Sequence, residues 1–358
     1  MLILNVVKIF VPAVLAFIVG IGITPLITHY LYKNEMWKKK SGKIAPDGRE
    51  TPIFNELHKH KEVGTPKMGG TVIWISALVT IVGIWILEKF LPGQSVSKLV
   101  FLSRGQTWIP LATLLFGAFV GLVDDYLDIR GSRDHISGGL SLKKRLLLVG
   151  SIGLLVGFWF YFKLGVNSIG LPLDHVLYIG WLIIPLFSLV MLAVYSGGVI
   201  DGLDGLAGGI FATMFGAYGV IAYNQNQINL AAFCMMIVGA ILAFLWFNIP
   251  PARYYMSETG SMALTVTLAV VAFMTDALGE GYGVLVLPII AFPLFVTSAS
   301  VIIQLFSKKF RNGQKVFRVA PLHHHFEAIG WPAYKVVMRY WIIGIIFAIL
   351  GVVLALLG

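Results

Sequence analysis

Ten stretches of mostly apolar residues punctuate the chain, and the polar residues are gathered into the segments between them. They run over about 5–31, 68–88, 108–126, 145–163, 177–200, 206–224, 229–249, 260–281, 283–307 and 336–357. An α-helix of roughly 20 apolar residues crosses the hydrocarbon core of a bilayer. Lipid offers no partner to backbone N–H and C=O groups, and these stretches are too long for barrel strands, so each is expected to be a helix. The close pairs, 177–200 with 206–224 and 260–281 with 283–307, are divided by only a few residues. The first stretch exceeds a signal-peptide core and shows no small-residue cleavage site, so it too is expected to be a helix. Neither linker, low-complexity tract nor repeat is visible, and residues 1–358 are expected to form a single polytopic domain.

Composition agrees with this pattern. Of 358 residues, 58% are hydrophobic and 12% charged, about half the charged share of a soluble domain. That balance excludes a soluble globule and a disordered chain, and a single cysteine, Cys234, excludes a disulfide scaffold. The net charge of +10 has no clustered soluble face on which to meet nucleic acid, so no nucleic-acid partner is expected. Lys and Arg are unevenly divided. Segments 32–67, 127–145, 201–207, 250–259 and 308–339 hold 22, and the other set of loops and helix ends holds five: Lys8, Lys89, Lys98, Arg104 and Lys163. The positive-inside rule places the first set in the cytoplasm and both termini outside. The expected fold is therefore an all-α integral membrane protein of about ten spans.

Ionisable groups are costly in membrane helices and tend to mark function. Asp124 and Asp125 close the third stretch in GLVDDYLD, and Asp201 and Asp204 lie in DGLDGLAGG. Glu258 stands in MSETGS, and His323, His324 and His325 lie in APLHHHFEAIGW. Taken singly, each has a plain structural reading: a solvated helix end, a pair of glycine turns, or an N-terminal cap. Together they fall on the side assigned to the cytoplasm from Lys and Arg alone, which points to one active site on that face. Hard carboxylate oxygens suit Mg²⁺, and a metal beside a diphosphate neutralises charge on a leaving group. Asp174, Asp276 and Glu280 fall on the other side and are expected to be solvated loop residues, and Cys234 a small core residue. His29, His58, His60, His135 and His175 carry no specific signal.

With these residues in place, the chain resembles the polyprenyl-phosphate N-acetylhexosamine-1-phosphate transferases. Within that superfamily it is most similar to the phospho-N-acetylmuramoyl-pentapeptide-transferase branch. The resemblance runs through GTPKMGG (64–70), GLVDDYLD (121–128), DGLDGLAGG (201–209), FNIPPARYYMSETGS (247–261) and APLHHHFEAIGW (320–331). It implies a ten-helix, Mg²⁺-dependent enzyme of the bacterial plasma membrane, usually a homodimer, with its active site facing the cytoplasm. Such an enzyme passes phospho-MurNAc-pentapeptide from UDP-MurNAc-pentapeptide to undecaprenyl phosphate, giving lipid I and UMP. Carried over by position, Asp124 and Asp125 match the catalytic acidic pair, Glu258 the metal-binding carboxylate, and His323 and His324 active-site histidines. Asp201, Gly202, Leu203, Asp204, Asn248 and Tyr255 match the nucleotide pocket, with Gln304 and His325 near the substrate.

The sequence also departs from the pattern. Lys67 replaces a threonine of GTPTMGG, and a basic residue expected just upstream falls on Glu62, beside Lys61. Tyr195 and Gly198 stand where two asparagines lead into DGLDG, and MGDTGS reads MSETGS. Lys67 is expected to compensate for lost polar contacts to the diphosphate or ribose. The DDxxD completed by Asp128 leaves an N-acetylglucosamine-1-phosphate transferase as the rival within the superfamily, against which APLHHHFE argues. A secondary transporter is the rival from another class, but it would place its ionisable groups near the midplane and often carry inverted repeats.

Overall fold

A computed structural model describes residues 2–38, 63–90, 97–103, 105–131, 139–173 and 175–357. His58, His60, Lys61, Glu62, His135 and Asp174 lie outside the described residues. Each apolar stretch forms a helix: α1 (Leu2–Lys33), α2 (Thr71–Phe90), α3 (Trp108–Arg130), α4 (Leu142–Leu164), α5 (Ile183–Ser196), α6 (Leu206–Asn224) and α7 (Ile228–Asn248). They continue with α8 (Ser257–Met274), α9 (Gly283–Ile290), α10 (Phe292–Phe310), a short α11 (Leu322–Ala328) and α12 (Ala333–Leu356). Single 3₁₀ turns, Gly180–Leu182 and Gly197–Ile200, extend α5 at both ends. Among the described residues, nine spans are long and apolar enough to cross a membrane, and α9 with α10 makes a tenth that bends by 69°. The protein is an all-α, multi-span membrane protein. The bend follows from two prolines, Pro288 inside α9 and Pro293 at the start of α10, each of which removes a backbone donor.

The core is built around α8, of which 94% is buried. Its sequence is rich in Gly, Ala, Ser and Thr, which lets neighbouring backbones approach closely without a hydrophobic driving force between helices. The buried hydroxyls of Thr265 and Thr267 donate to carbonyls one turn back, at Ser261 and Ala263. α3 lies against α8 through Gly121, where an added Cβ would come within 2.8 Å of the Thr259 Cα. α5, α6 and α9 also pack on α8. Outer helices α1 and α12 present Phe10, Val14, Ile18, Ile342, Ile346 and Ile349, all exposed, as a lipid-facing surface.

Two features of the far end differ from the sequence reading. Residues 168–178 form an antiparallel hairpin, β1 (Ser168–Leu171) and β2 (His175–Tyr178), with Ser168 opposite Tyr178. Asp276 is not a solvated loop residue: it is 1% exposed. Its carboxylate accepts the Gly170 N–H at 2.8 Å and the Val284 N–H at 2.9 Å, tying the hairpin to the chain leading into α9. Burial pushes this carboxyl up to about 6, against the opposing pull of backbone N–H groups from Gly170, Val284 and Ala277. Glu280 is exposed as expected, and Cys234 is fully buried.

Candidate active site

The carboxylates meet where α3 ends and α8 begins. Asp125 is fully buried, and both its oxygens are engaged. Oδ2 accepts the Thr259 N–H at 2.9 Å and the Thr259 hydroxyl at 2.7 Å, and Oδ1 lies 3.5 Å from the Lys67 Nζ. Asp124 turns the other way: its Oδ1 accepts the Leu140 N–H at 2.7 Å and sits 3.2 Å from the Arg145 Nε. The Arg145 Nη1 continues to the Glu258 Oε1 at 2.6 Å, so one guanidinium joins the two carboxylates. The Tyr195 hydroxyl donates to the Glu258 Oε2 at 3.4 Å. Of these side chains Glu258 is the most open, at 26% exposure against 3% for Asp124 and none for Asp125.

Lys67 is placed by the chain that precedes α2. Its N–H donates to the Met36 carbonyl at 2.8 Å, while the neighbouring Gly69 and Gly70 N–H groups donate to Tyr255 and Met256. The ammonium reaches over α3 to pair with Asp128 as well as Asp125. Burial disfavours its charge, but the Asp125 and Asp128 carboxylates, with Glu258 beyond, outweigh that and hold it above the usual lysine range. Lys67 thus lies among carboxylates.

DGLDG adjoins this cluster. The Asp201 Oδ2 accepts the Ser257 N–H at 2.8 Å, next in sequence to Glu258, and the Asp204 Oδ2 faces the Ala252 N–H at 3.4 Å. Asn248, at the end of α7, accepts from the Gly205 N–H at 2.9 Å and donates to the Tyr254 carbonyl at 2.8 Å. Its amide is therefore a brace between two loops. Leu203 is buried and Tyr255 half-buried. Gly202 receives the histidines: a Cβ there would collide with the His323 Nε2 and come within 2.8 Å of the His324 Nε2. His324 is oriented from its other side by Glu327, whose Oε2 is 2.7 Å from the Nδ1.

His325 and Gln304 are not drawn into this convergence. The His325 Nδ1 accepts the Arg318 N–H at 3.2 Å, and burial with the nearby Arg318 charge lowers its affinity for a proton. The Gln304 amide donates to the Phe317 carbonyl at 2.9 Å and accepts from the N–H groups of Val316 and Phe317. It holds the loop that leads to α11. Arg145 lies outside every motif, Tyr195 was noted only as a departure from the pattern, and Thr259 and Glu327 lie inside quoted motifs without having been given a role. Arg145 was visible only as one of three consecutive basic residues, and nothing in sequence tied it to Glu258. The departures have physical reasons: Gly198 is pressed on Ser261, where a Cβ would lie 2.5 Å from the hydroxyl, and Tyr195 reaches Glu258 instead of an amide.

The donor set is compatible with one divalent cation. Among the described residues no three histidine, cysteine or carboxylate groups converge on a point, but Mg²⁺ commonly uses one or two carboxylates, with phosphate and water completing its shell. Asp124, Asp125, Asp128 and Glu258 outnumber Lys67 and Arg145 by two charges, or by one when Lys38, 3.9 Å from Asp128, is included. Glu258 is the carboxylate such an ion could reach.

A family model described as Glycosyl transferase family 4 matches residues 107–276, from α3 to the end of α8. A phospho-N-acetylmuramoyl-pentapeptide-transferase of Geobacillus thermodenitrificans is 36% identical over 300 residues, 82% of this chain and 84% of that protein. Its counterpart in Bacillus anthracis is 35% identical over 349 residues, 96% of each chain, and that of Listeria innocua 34% over 341 residues, 94% and 95%. With such similarity sustained from end to end, and the acidic, glycine and histidine motifs gathered at one end of the bundle, the chain belongs to the phospho-N-acetylmuramoyl-pentapeptide-transferase family.

Proposed function

We propose that the protein transfers phospho-MurNAc-pentapeptide from UDP-MurNAc-pentapeptide to undecaprenyl phosphate at the cytoplasmic face of the plasma membrane, releasing UMP and forming lipid I. The observation that carries this reading is the meeting of Asp124, Asp125 and Glu258 with Arg145 and Lys67, beside Gly202 and the two imidazoles it contacts. An oxygen of the lipid phosphate forms a bond to the sugar-side phosphorus, and the bond from that phosphorus to the UMP oxygen breaks. Asp125, with both oxygens occupied, serves to hold Thr259 and Lys67 in place. The Asp124 Oδ2 takes no hydrogen bond from a described residue, so Asp124 is the member of the pair that orients the lipid phosphate and accepts its proton when it arrives protonated. Arg145 and Lys67 offset negative charge brought by the two phosphate substrates. His323 and His324, with Gly202 between them and the nucleotide loop, serve the donor's phosphate or muramoyl end. Glu258 would hold Mg²⁺, which when bound neutralises charge developing on the departing UMP.

The test is UMP release and lipid product from the purified protein with undecaprenyl phosphate and Mg²⁺, offered UDP-MurNAc-pentapeptide or UDP-GlcNAc separately. Product from the muramoyl donor alone is expected. Product from UDP-GlcNAc instead would keep the chemistry and overturn the substrate, and product from neither would overturn the proposal.

A further inference from the structure

At the end of the bundle opposite the carboxylates, a cavity of about 300 Å³ opens between the start of α1, the chain entering α3 and the turn from α6 to α7. Its polar lining is Asn5, Lys8, Lys98, Gln106, Asn226 and Asn229. Two of the five cations found in the sparsely charged set of loops and helix ends therefore converge here. The segments that supply the lining, residues 1–34, 89–123 and 205–257, contain neither Asp nor Glu. The amides are pre-arranged, with the Gln106 Oε1 accepting the Asn229 N–H at 3.2 Å in the first turn of α7, whose amino end adds positive potential. The Oδ1 of Asn229, a lining residue, is buried without a hydrogen-bond partner among the described residues. Outside the cavity, α1 exposes Val7 and Phe10 on either side of Lys8 in sequence, apolar surface suited to acyl chains.

We infer that this cavity binds a phosphodiester carrying a hydroxylated head group, as in phosphatidylglycerol. The phosphate meets Lys8 and Lys98, and a head-group hydroxyl donates to the Asn229 Oδ1. A choline head group has neither the net charge nor the donor. An ethanolamine head group would bring its ammonium against two lysines.

The test is titration of the detergent-purified, full-length protein with phosphatidylglycerol or phosphatidylcholine, with bound lipid counted by native mass spectrometry. Wild-type protein is expected to bind phosphatidylglycerol at least about ten-fold more tightly. A basic side chain near an anionic membrane surface contributes about five-fold, so Lys98→Gln should weaken binding about five-fold and Lys8→Gln/Lys98→Gln about 25-fold. Unchanged UMP release by both variants, which lie far from the carboxylates, shows that the fold is intact; should the double variant misfold, exposed Lys98 alone carries the test. Displacement of the lipid by sn-glycerol 3-phosphate would identify a soluble phosphate as an equally competent ligand, and failure to displace it would identify the lipid; both support the site. Equal binding of the two lipids by wild-type protein, or wild-type affinity in a folded variant, overturns it.

Discussion

At the scale of single residues, the departures from the family pattern form a connected set. Glu258 is one methylene longer than aspartate, and the added reach is taken up by Arg145 and Tyr195, which hold its two oxygens. If Glu258 holds the metal, Glu258→Gln should lower turnover by more than about 100-fold, since even groups that only support a ligand cost 10–100-fold. Mn²⁺ binding followed by electron paramagnetic resonance should weaken in parallel, and wild-type turnover would remove Glu258 from that role. Ser257, where the family pattern has glycine, sits in the left-handed region at φ 56°. An L-residue there is strained by roughly 1 kcal/mol, partly offset by the greater chain entropy glycine has when unfolded. Ser257→Gly should therefore raise the melting temperature while its N–H still donates to Asp201, and a fall in melting temperature would show that the serine side chain contributes more than the strain costs. The carboxylates and histidines were legible in sequence because each is rare in an apolar helix, and the glycines because they flank Asp201 and Asp204. Arg145 and Tyr195 were not, because their partners lie 113 and 63 residues away in the chain.

At the scale of elements, most spans were readable to within a few residues because the bilayer imposes their length and composition, but the stretch at 260–281 overran α8 by seven residues and that at 283–307 is two helices. The bend at Ala291 was not read from sequence, although Pro288 and Pro293 flank it, and the β1–β2 hairpin was hidden in a segment too short and mixed to show a period. Its anchor, Asp276, makes a pH-dependent contribution whose sign is set by its raised value. The folded state holds the proton up to about pH 6, and an unfolded aspartate releases it near 3.9. The protonated group therefore favours the folded protein below about pH 4, and that contribution disappears as pH rises through 6. A two-unit shift is on the order of 2 to 3 kcal/mol. Between pH 4 and 7 the melting temperature of wild-type protein should fall relative to that of Asp276→Asn, and parallel curves would show that Asp276 does not titrate in this window.

For the whole molecule, the gathering of four separate motifs at one end followed from topology, because the same asymmetry of Lys and Arg that orients the helices also sorts the loops. Sidedness itself is open to direct measurement, since the single cysteine, Cys234, is fully buried and leaves a silent background. Leu177→Cys on the hairpin should react with a membrane-impermeant maleimide in intact cells. Lys315→Cys, in the loop before α11, should react only after permeabilisation. The reverse pattern would invert the protein in the membrane and remove the cytoplasmic assignment of the active site.

The enclosure of α8 has a further consequence. Glu258 and the chain to Asp276 lie at opposite ends of a helix that is 94% buried, whereas α1 and α12 are only 22% and 33% buried and meet the lipid. A bilayer that thickens or thins therefore acts first on the tilt of the outer helices. The central helix works as a fixed depth gauge that keeps the carboxylates at one level while the lipid around them changes.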